Sequence, residues 1–213
     1  MIKTLFKKTR MQTALICATA IACCACAKKA AAQTNVPGKS GVRQNGIFSR
    51  KTARVYDTAK RVSDADLRLI LKAAFASPTA DNSRANEFIV VQDRNKIINL
   101  KAGNPYAGQL DSAQSVIVVA VNENVIRHKD LAALDAGIAA QSIMVEAAEL
   151  GYASVPMSIA PEPVRVENTR KTLSLPDYVT PHIMIAIGFA ASDAVTSAST
   201  DYWDDLKIHT NGW

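Results

Sequence analysis

Residues 115–121 read Ser-Val-Ile-Val-Val-Ala-Val. A nearly continuous β-branched run of this length predicts a strand buried on both faces, because a half-exposed strand would alternate apolar with polar residues. The longest helical pattern follows it, over Asp130–Leu150. Leu131, Leu134, Ile138, Ile143, Met144, Val145, Ala147, Ala148 and Leu150 leave it small or apolar almost all round. Such a helix is central, or shared with a partner. Gly151 is placed to cap it. Beyond it come a short strand over Ala153–Ser158, a surface helix over Pro161–Leu173 and a second buried strand over His182–Phe189.

The same reading runs backwards from Ser115. Arg94–Leu100 predicts a short helix and Phe88–Val91 a short strand. Ser63 with Asp66 marks a helix start. Leu67, Ile70, Leu71, Ala74 and Phe75 then repeat at helical spacing, and Ser77-Pro78 ends the helix. Strands interleaved with helices define a mixed, α+β class. A polar tail, Ser192–Trp213, is left over and ends in Trp. Tails of that composition often wrap a partner subunit.

The N-terminus has a different composition. Residues 1–32 contain Lys3, Lys7, Lys8, Arg10, Lys28 and Lys29, no acid, and an apolar stretch from about Ala14 to Ala27. That is the anatomy of an export signal. A cut before Gln33 follows the small residues Ala30 and Ala32, and Ala25 and Ala27 suit an earlier one. Lipoprotein processing at Cys23, Cys24 or Cys26 is the other route. Residues 33–45, rich in Pro, Gly, Ser, Gln and Asn, read as a flexible linker, leaving residues 46–213 as one domain. The expected location is therefore outside the cytoplasm, as a periplasmic protein or an envelope-anchored lipoprotein.

Removing the leader changes the charge. The chain has 25 basic and 19 acidic residues; without the leader's six positives the two are equal. A neutral domain gives no argument for a nucleic-acid partner. All four cysteines (Cys17, Cys23, Cys24, Cys26) lie in the leader, so the domain has no thiol for a nucleophile, a disulfide or a metal site. His128, His182 and His209 are scattered and form no metal-binding pattern. No GxSxG, Walker A or GxGxxG motif occurs. An enzyme built this way must carry its chemistry in a cofactor.

Two segments stand out. The first is Arg50-Lys51-Thr52-Ala53-Arg54-Val55-Tyr56. In an extended backbone Arg50, Thr52 and Arg54 point to one side, with Lys51 nearby, which is chemistry suited to a phosphate. A charged edge strand would use the same residues. The second is Ser77-Pro78-Thr79-Ala80-Asp81-Asn82-Ser83, a loop of small hydrogen-bonding residues between a helix and a strand. It offers amides and Asn82 to a planar polar ligand, or is a plain turn.

In this order the segments resemble the FMN-dependent nitroreductase family. The chain gives R-K-T-A-R-V-Y, S-P-T-A-D-N-S-R, F-I-V-V, A-A-E-L-G, S-V-P-M-S, Leu173–Pro176 as L-x-L-P, Ile185–Gly188 as I-x-I-G, and a final H-T-N-G-W. The resemblance covers roughly Ile47–Trp213. It implies a mixed central sheet flanked by helices, an intertwined homodimer and an FMN at each interface. Arg50, Lys51, Thr52 and Arg54 would hold the phosphate and ribityl chain. Pro78, Thr79, Ala80 and Asn82 would reach the flavin from the other subunit. Pro156, Met157 and Ser158 would lie against the ring, with the Ser158 backbone amide facing N5. The implied activity takes hydride from NADH or NADPH and passes it to a nitroaromatic, quinone or similar small acceptor.

Arg84, Ala85 and Asn86 depart from the pattern, which has Gln-Pro-Trp there. The basic residue expected before H-x-N-x-W has its nearest candidate in Lys207, and a mid-chain Asn contact aligns loosely with Asn104. An exported protein also sits oddly with cytoplasmic FMN and nicotinamide, since the leader has no twin-arginine pair. A binding or envelope protein that keeps the fold without flavin chemistry is the alternative.

Overall fold

In a computed structural model of the chain, residues 46–191, 195–197 and 203–213 are described. The proposed leader and linker lie outside them. Five α-helices occur among the described residues: α1 (Gly46–Ser49), α2 (Asp64–Phe75), α3 (Arg94–Ala102), α4 (Ala132–Glu149) and α5 (Pro163–Leu173). The strands are β1 (Lys51–Ala53), β2 (Asn86–Val91), β3 (Ser115–Asn122), β4 (Ala153–Ser158), β5 (Val179–Gly188) and β6 (Val195–Ser197). They form one sheet in the order β2-β3-β5-β4-β1-β6, antiparallel throughout except for β4 and β1.

Period-two alternation sorts the core. Ile117, Val119 and Val121 of β3 and Ile185 and Ile187 of β5 face α2 and α4. Val116 and Val118, with Met184 and Ala186, face the other way, onto Ile97 and Leu100 of α3. Both faces of the β3–β5 pair are therefore filled, as the run at 115–121 predicts. Each boundary has a local cause. The Ser63 hydroxyl accepts from the Asp66 amide and starts α2. The Asp93 carboxylate does the same for Lys96 and starts α3. Gly151, at φ +85°, ends α4 in a left-handed conformation that glycine adopts without strain.

Beyond shifts of up to two residues at helix ends, the observed elements differ from the expectations in four places. The tail is not wholly irregular: β6 adds to β1, so β1 lies between β4 and β6 and is not an edge strand. β5 starts three residues before His182, with a bulge that leaves His182 extra between Ile183 and Pro181 in its ladder with β3. A bulge lets a proline, which has no N–H, stand in an interior strand. β2 begins two residues early, at Asn86. α4 buries a carboxylate, Asp135, on a face composed otherwise of alanines, Ile143 and Met144.

Ile185 is fully buried at the centre of this arrangement. Ile185→Ala should lower stability by about 2–5 kcal/mol, while Lys171→Ala on the outer face of α5 should stay within ~0.5 kcal/mol, both read from urea denaturation.

Candidate functional site

β1 and β4 meet at a single parallel register, Thr52 opposite Ser154. Opposed residues share a face, so Arg50, Thr52, Ser154, Pro156 and Ser158 belong to one face of the sheet. Ala53, Val155 and Met157 point into the opposite core. Ser154 is buried, whereas Pro156 and Ser158 are exposed. The result is an open shelf with the basic segment along one side.

Arg50 and Thr52 converge as their spacing predicts: Arg50 Nη1 donates to Thr52 Oγ1 at 3.0 Å. Arg54 is exposed, just beyond β1, and Lys51 is exposed on it. Among the described residues no carboxylate forms an ion pair with any of the three cations, although seven ion pairs form elsewhere. The Ser154 hydroxyl, beside Thr52, is buried with no partner. Arg50 beside the Thr52 hydroxyl, with exposed Arg54 next along the chain, fits a phosphate ester; Lys51 is one residue out of phase and leaves β1 from the other face. Tyr56 closes the segment. Its ring is buried, its hydroxyl donates to Ala186 O at 3.1 Å, and burial pushes its pKa far above the usual phenol range. A Cβ at Gly188 would come within 3.1 Å of that ring, which accounts for glycine in I-x-I-G.

The direction of the Ser158 amide follows from the ladder. The Ile159 amide donates to His182 O at 2.8 Å, so it points at β5. Its neighbour, Ser158, must then point its N–H the opposite way, toward the β1 side, where pairing stops at Thr52↔Ser154. Pro156 has the same parity, which is why a proline is tolerated there. Two side chains fix the rest of Ser158. The buried Asn104 donates from Nδ2 to Ser158 O at 3.1 Å. Arg165 Nη1 donates to Ser158 Oγ at 3.0 Å, with its guanidinium 5.3 Å from the Tyr106 ring centre. Asn104 thus lies beside the shelf. Arg165 gave no signal in sequence, because it stands on a helix that reads as plain surface.

Pro78, Thr79, Ala80 and Asn82 lie elsewhere. Their loop leads into β2, at the opposite end of the sheet from β1. Four strand spacings separate β2 from β1, about 19 Å at ~4.8 Å each. One chain does not bring the two segments together. The loop is tied to α4 by two hooks on one helical face. The Ala80 amide donates to both Asp135 oxygens, at 2.9 and 3.1 Å, and Ser77 Oγ donates to Ser142 Oγ at 2.8 Å. Asp81 and Asn82 adopt φ of 52° and 49°. Arg127 pairs with Asp81 at 2.9 Å and holds its carboxyl below the usual range. Asp135 is the functional candidate the sequence reading missed; an acid at position 135 with apolar neighbours was the available signal. Lys207 lies in a 3₁₀ turn and faces Asp204 at 3.5 Å. No group of three metal-ligating side chains occurs among the described residues.

With the geometry in hand, similarity to known proteins gives the class. The sequence model of the Nitroreductase family matches residues 47–119 and 99–189. A crystal structure from Bacteroides thetaiotaomicron, named "Putative NADH dehydrogenase/NAD(P)H nitroreductase", is 32% identical and superposes with a TM-score of 0.72 over 79% of this chain and 96% of its own. An "FMN-dependent Nitroreductase" from Clostridium difficile R20291 is 28% identical, with a TM-score of 0.71 over 79% and 99%. An Archaeoglobus fulgidus relative with the same name as the Bacteroides protein is 27% identical over 168 residues, 78% of this chain and 96% of its own length. The chain belongs to the nitroreductase family, and its fold and its class as an oxidoreductase follow from that membership.

Asp135 generates a direct prediction. Asp135→Ala leaves the Ala80 amide without its acceptor and should cost about 1–3 kcal/mol. Asp135→Asn keeps an acceptor and should cost less. Equal melting temperatures for wild type and Asp135→Ala would show that the loop is held some other way.

Proposed function

We propose that this chain is an FMN-dependent oxidoreductase that takes reducing equivalents from NADH or NADPH and passes them to nitroaromatic, quinone or similar small acceptors. The observation that carries the reading is the shelf itself: uncompensated cations on and flanking β1, locked by one register to a strand whose next free amide is that of Ser158. Arg50, Lys51 and Arg54 would neutralise a phosphate charge of about −2, and Thr52 would donate to it. Pro156 would back a flat ring and Ser158 would aim its N–H at the ring's reacting edge, while Met157, expected from the resemblance to lie against the ring, turns its side chain into the opposite core and would offer only backbone. Bound FMN would supply the hydride-accepting and hydride-donating centre. The chain's part is to bind, orient and offer a fixed donor where negative charge develops, without an ionisable side chain.

Two chains complete the site in this proposal. Pro78, Thr79, Ala80 and Asn82 lie too far from β1 to serve the same flavin as their own shelf, so they would serve a partner's. Exposed apolar residues support a homodimer. Leu134 is 57% exposed, Leu206 87% and Trp213 fully so. Such residues mark an interface where they gather into one contiguous patch. The export reading of residues 1–32 stands beside this as a proposal. Mass spectrometry of the N-terminus in its native host decides it: a start near Gln33 means a signal-peptidase cut, a lipid-modified cysteine means an anchor, and an intact Met1 rejects export.

Residues 33–213, purified, should be yellow and should bleach on addition of NADH or NADPH. A colourless protein that also refuses added FMN contradicts the proposal and favours a binding role for the fold. Ser158→Pro removes the amide on an unpaired edge and should slow flavin reduction by about 10²-fold with FMN still bound. Ser158→Ala keeps the amide and should change the rate little. Sedimentation at micromolar concentration should give a dimer; a flavin-bearing monomer contradicts the two-chain site.

A further inference from the structure

The loop between α2 and β2 has a second side, away from the β1–β4 shelf. Phe75, Ser77, Thr79, Arg84, Asn86 and Phe88 line a cleft of about 140 Å³ there. Its volume is well under the ~300–1,000 Å³ of sites for drug-sized ligands, and close to the ~150 Å³ cavity that takes a benzene. It is sized for a single ring. Phe75 and Phe88 supply an aromatic wall, edge to face with ring centres 5.0 Å apart.

The polar groups around the cleft are mostly committed. Ser77 Oγ donates to Ser142, and Thr79 Oγ1 accepts from the Arg84 amide at 3.0 Å. Two functions point to a ligand. Arg84 uses Nε on Asn82 Oδ1 at 3.1 Å and forms no ion pair among the described residues, so the Nη edge of its guanidinium is open to an anion. Asn86 donates from Nδ2 to Asp135 O at 3.3 Å, which orients the amide, and its Oδ1 is buried with no hydrogen-bond partner. A buried acceptor without a donor is a cost that a ligand N–H or O–H removes. Both residues belong to the Arg84-Ala85-Asn86 segment that departs from the Gln-Pro-Trp pattern. Asn86 stands where that pattern has its bulky indole.

We propose that this cleft is a binding site for a monocyclic aromatic carboxylate bearing a ring hydroxyl or amino group. The carboxylate pairs with the open edge of Arg84, the ring packs on Phe75 and Phe88, and the ring substituent donates to Asn86 Oδ1. No residue of the β1–β4 shelf takes part, although Thr79 lines the cleft and Asn82 holds Arg84, so a flavin on a partner chain would share this loop.

Calorimetric titration of the full-length protein with 4-hydroxybenzoate and 4-aminobenzoate tests it, with benzoate and phenol as comparisons. Saturable binding at one site per chain is expected, weaker for benzoate and for phenol. R84Q should weaken 4-hydroxybenzoate by about tenfold or more, the loss of one charge-assisted contact, and R84K by less. N86W, which fills the cleft, should abolish binding while circular dichroism shows the fold intact. Absence of saturable binding overturns the proposal, as does affinity unchanged in R84Q. If N86W does not fold, the comparison of R84Q with R84K decides alone. A colourless protein that binds 4-hydroxybenzoate through Arg84 contradicts the flavin proposal and leaves this one standing. A yellow protein that does not bind it contradicts this one alone.

Discussion

The pairing of Thr52 with Ser154 is the constraint on which the proposed chemistry depends. It is one parallel register at the middle residue of a three-residue strand. It sets the face on which Arg50 and Thr52 stand, and it ends where Pro156 and Ser158 begin. Had β1 continued along β4, the Ser158 amide would be consumed by the ladder. It does not continue because Tyr56 turns into the core and bridges to Ala190, while Val55 O accepts from Ala191 and Phe189 O from Asp57. A buried aromatic residue and two hydrogen bonds thus peel β1 away and leave an amide without a strand partner. Asn104 and Arg165 then hold the other polar groups of Ser158, so the free donor is a fixed one.

A second constraint acts across the sheet. α4 lies over β3 and β5 and presents Asp135 and Ser142, seven residues apart, on one face. A carboxylate in that setting is costly unless satisfied, and the Ala80 amide satisfies both of its oxygens. The same helix that fills the core therefore sets the loop carrying Thr79, Ala80 and Asn82. That loop and the cationic strand lie at opposite ends of the sheet, so the proposed flavin site would need two chains to bring them together.

Much of the fold was legible in sequence because its signals are local and dense. The run at Ser115–Val121 has no polar interruption, Ser63 caps the helix it precedes, and Gly151 follows the long helix directly. The short strand Ala153–Ser158 stands as expected directly after the glycine that ends the long helix. What escaped depended on distant partners. The short strand at Val195–Ser197 exists through its pairing with Lys51–Ala53, and its own residues have no strand pattern. The early start of β5 is hidden by Pro181, which reads as a breaker until the bulge against Val119 and Ala120 accommodates it. For the candidate site, the alternation of Arg50 and Thr52 was readable and their contact forms. The tether from Asp135 to Ala80 spans 55 positions and has no periodic trace. Arg165 is the same kind of case, an ordinary basic residue until folding sets it against Ser158.

The central claim is that β1 recognises a phosphate attached to a flavin. FMN and riboflavin differ in that phosphate alone. Equilibrium titration by flavin fluorescence quenching, with both ligands against wild type and an Arg50→Ala/Arg54→Ala variant, isolates its contribution. The account predicts that wild type binds FMN at least about 100-fold more tightly than riboflavin, since two charge-assisted contacts are each worth about 1.5–3 kcal/mol, and that the gap largely closes in the variant. Equal affinity of wild type for the two ligands, or a gap unchanged in the variant, would contradict it.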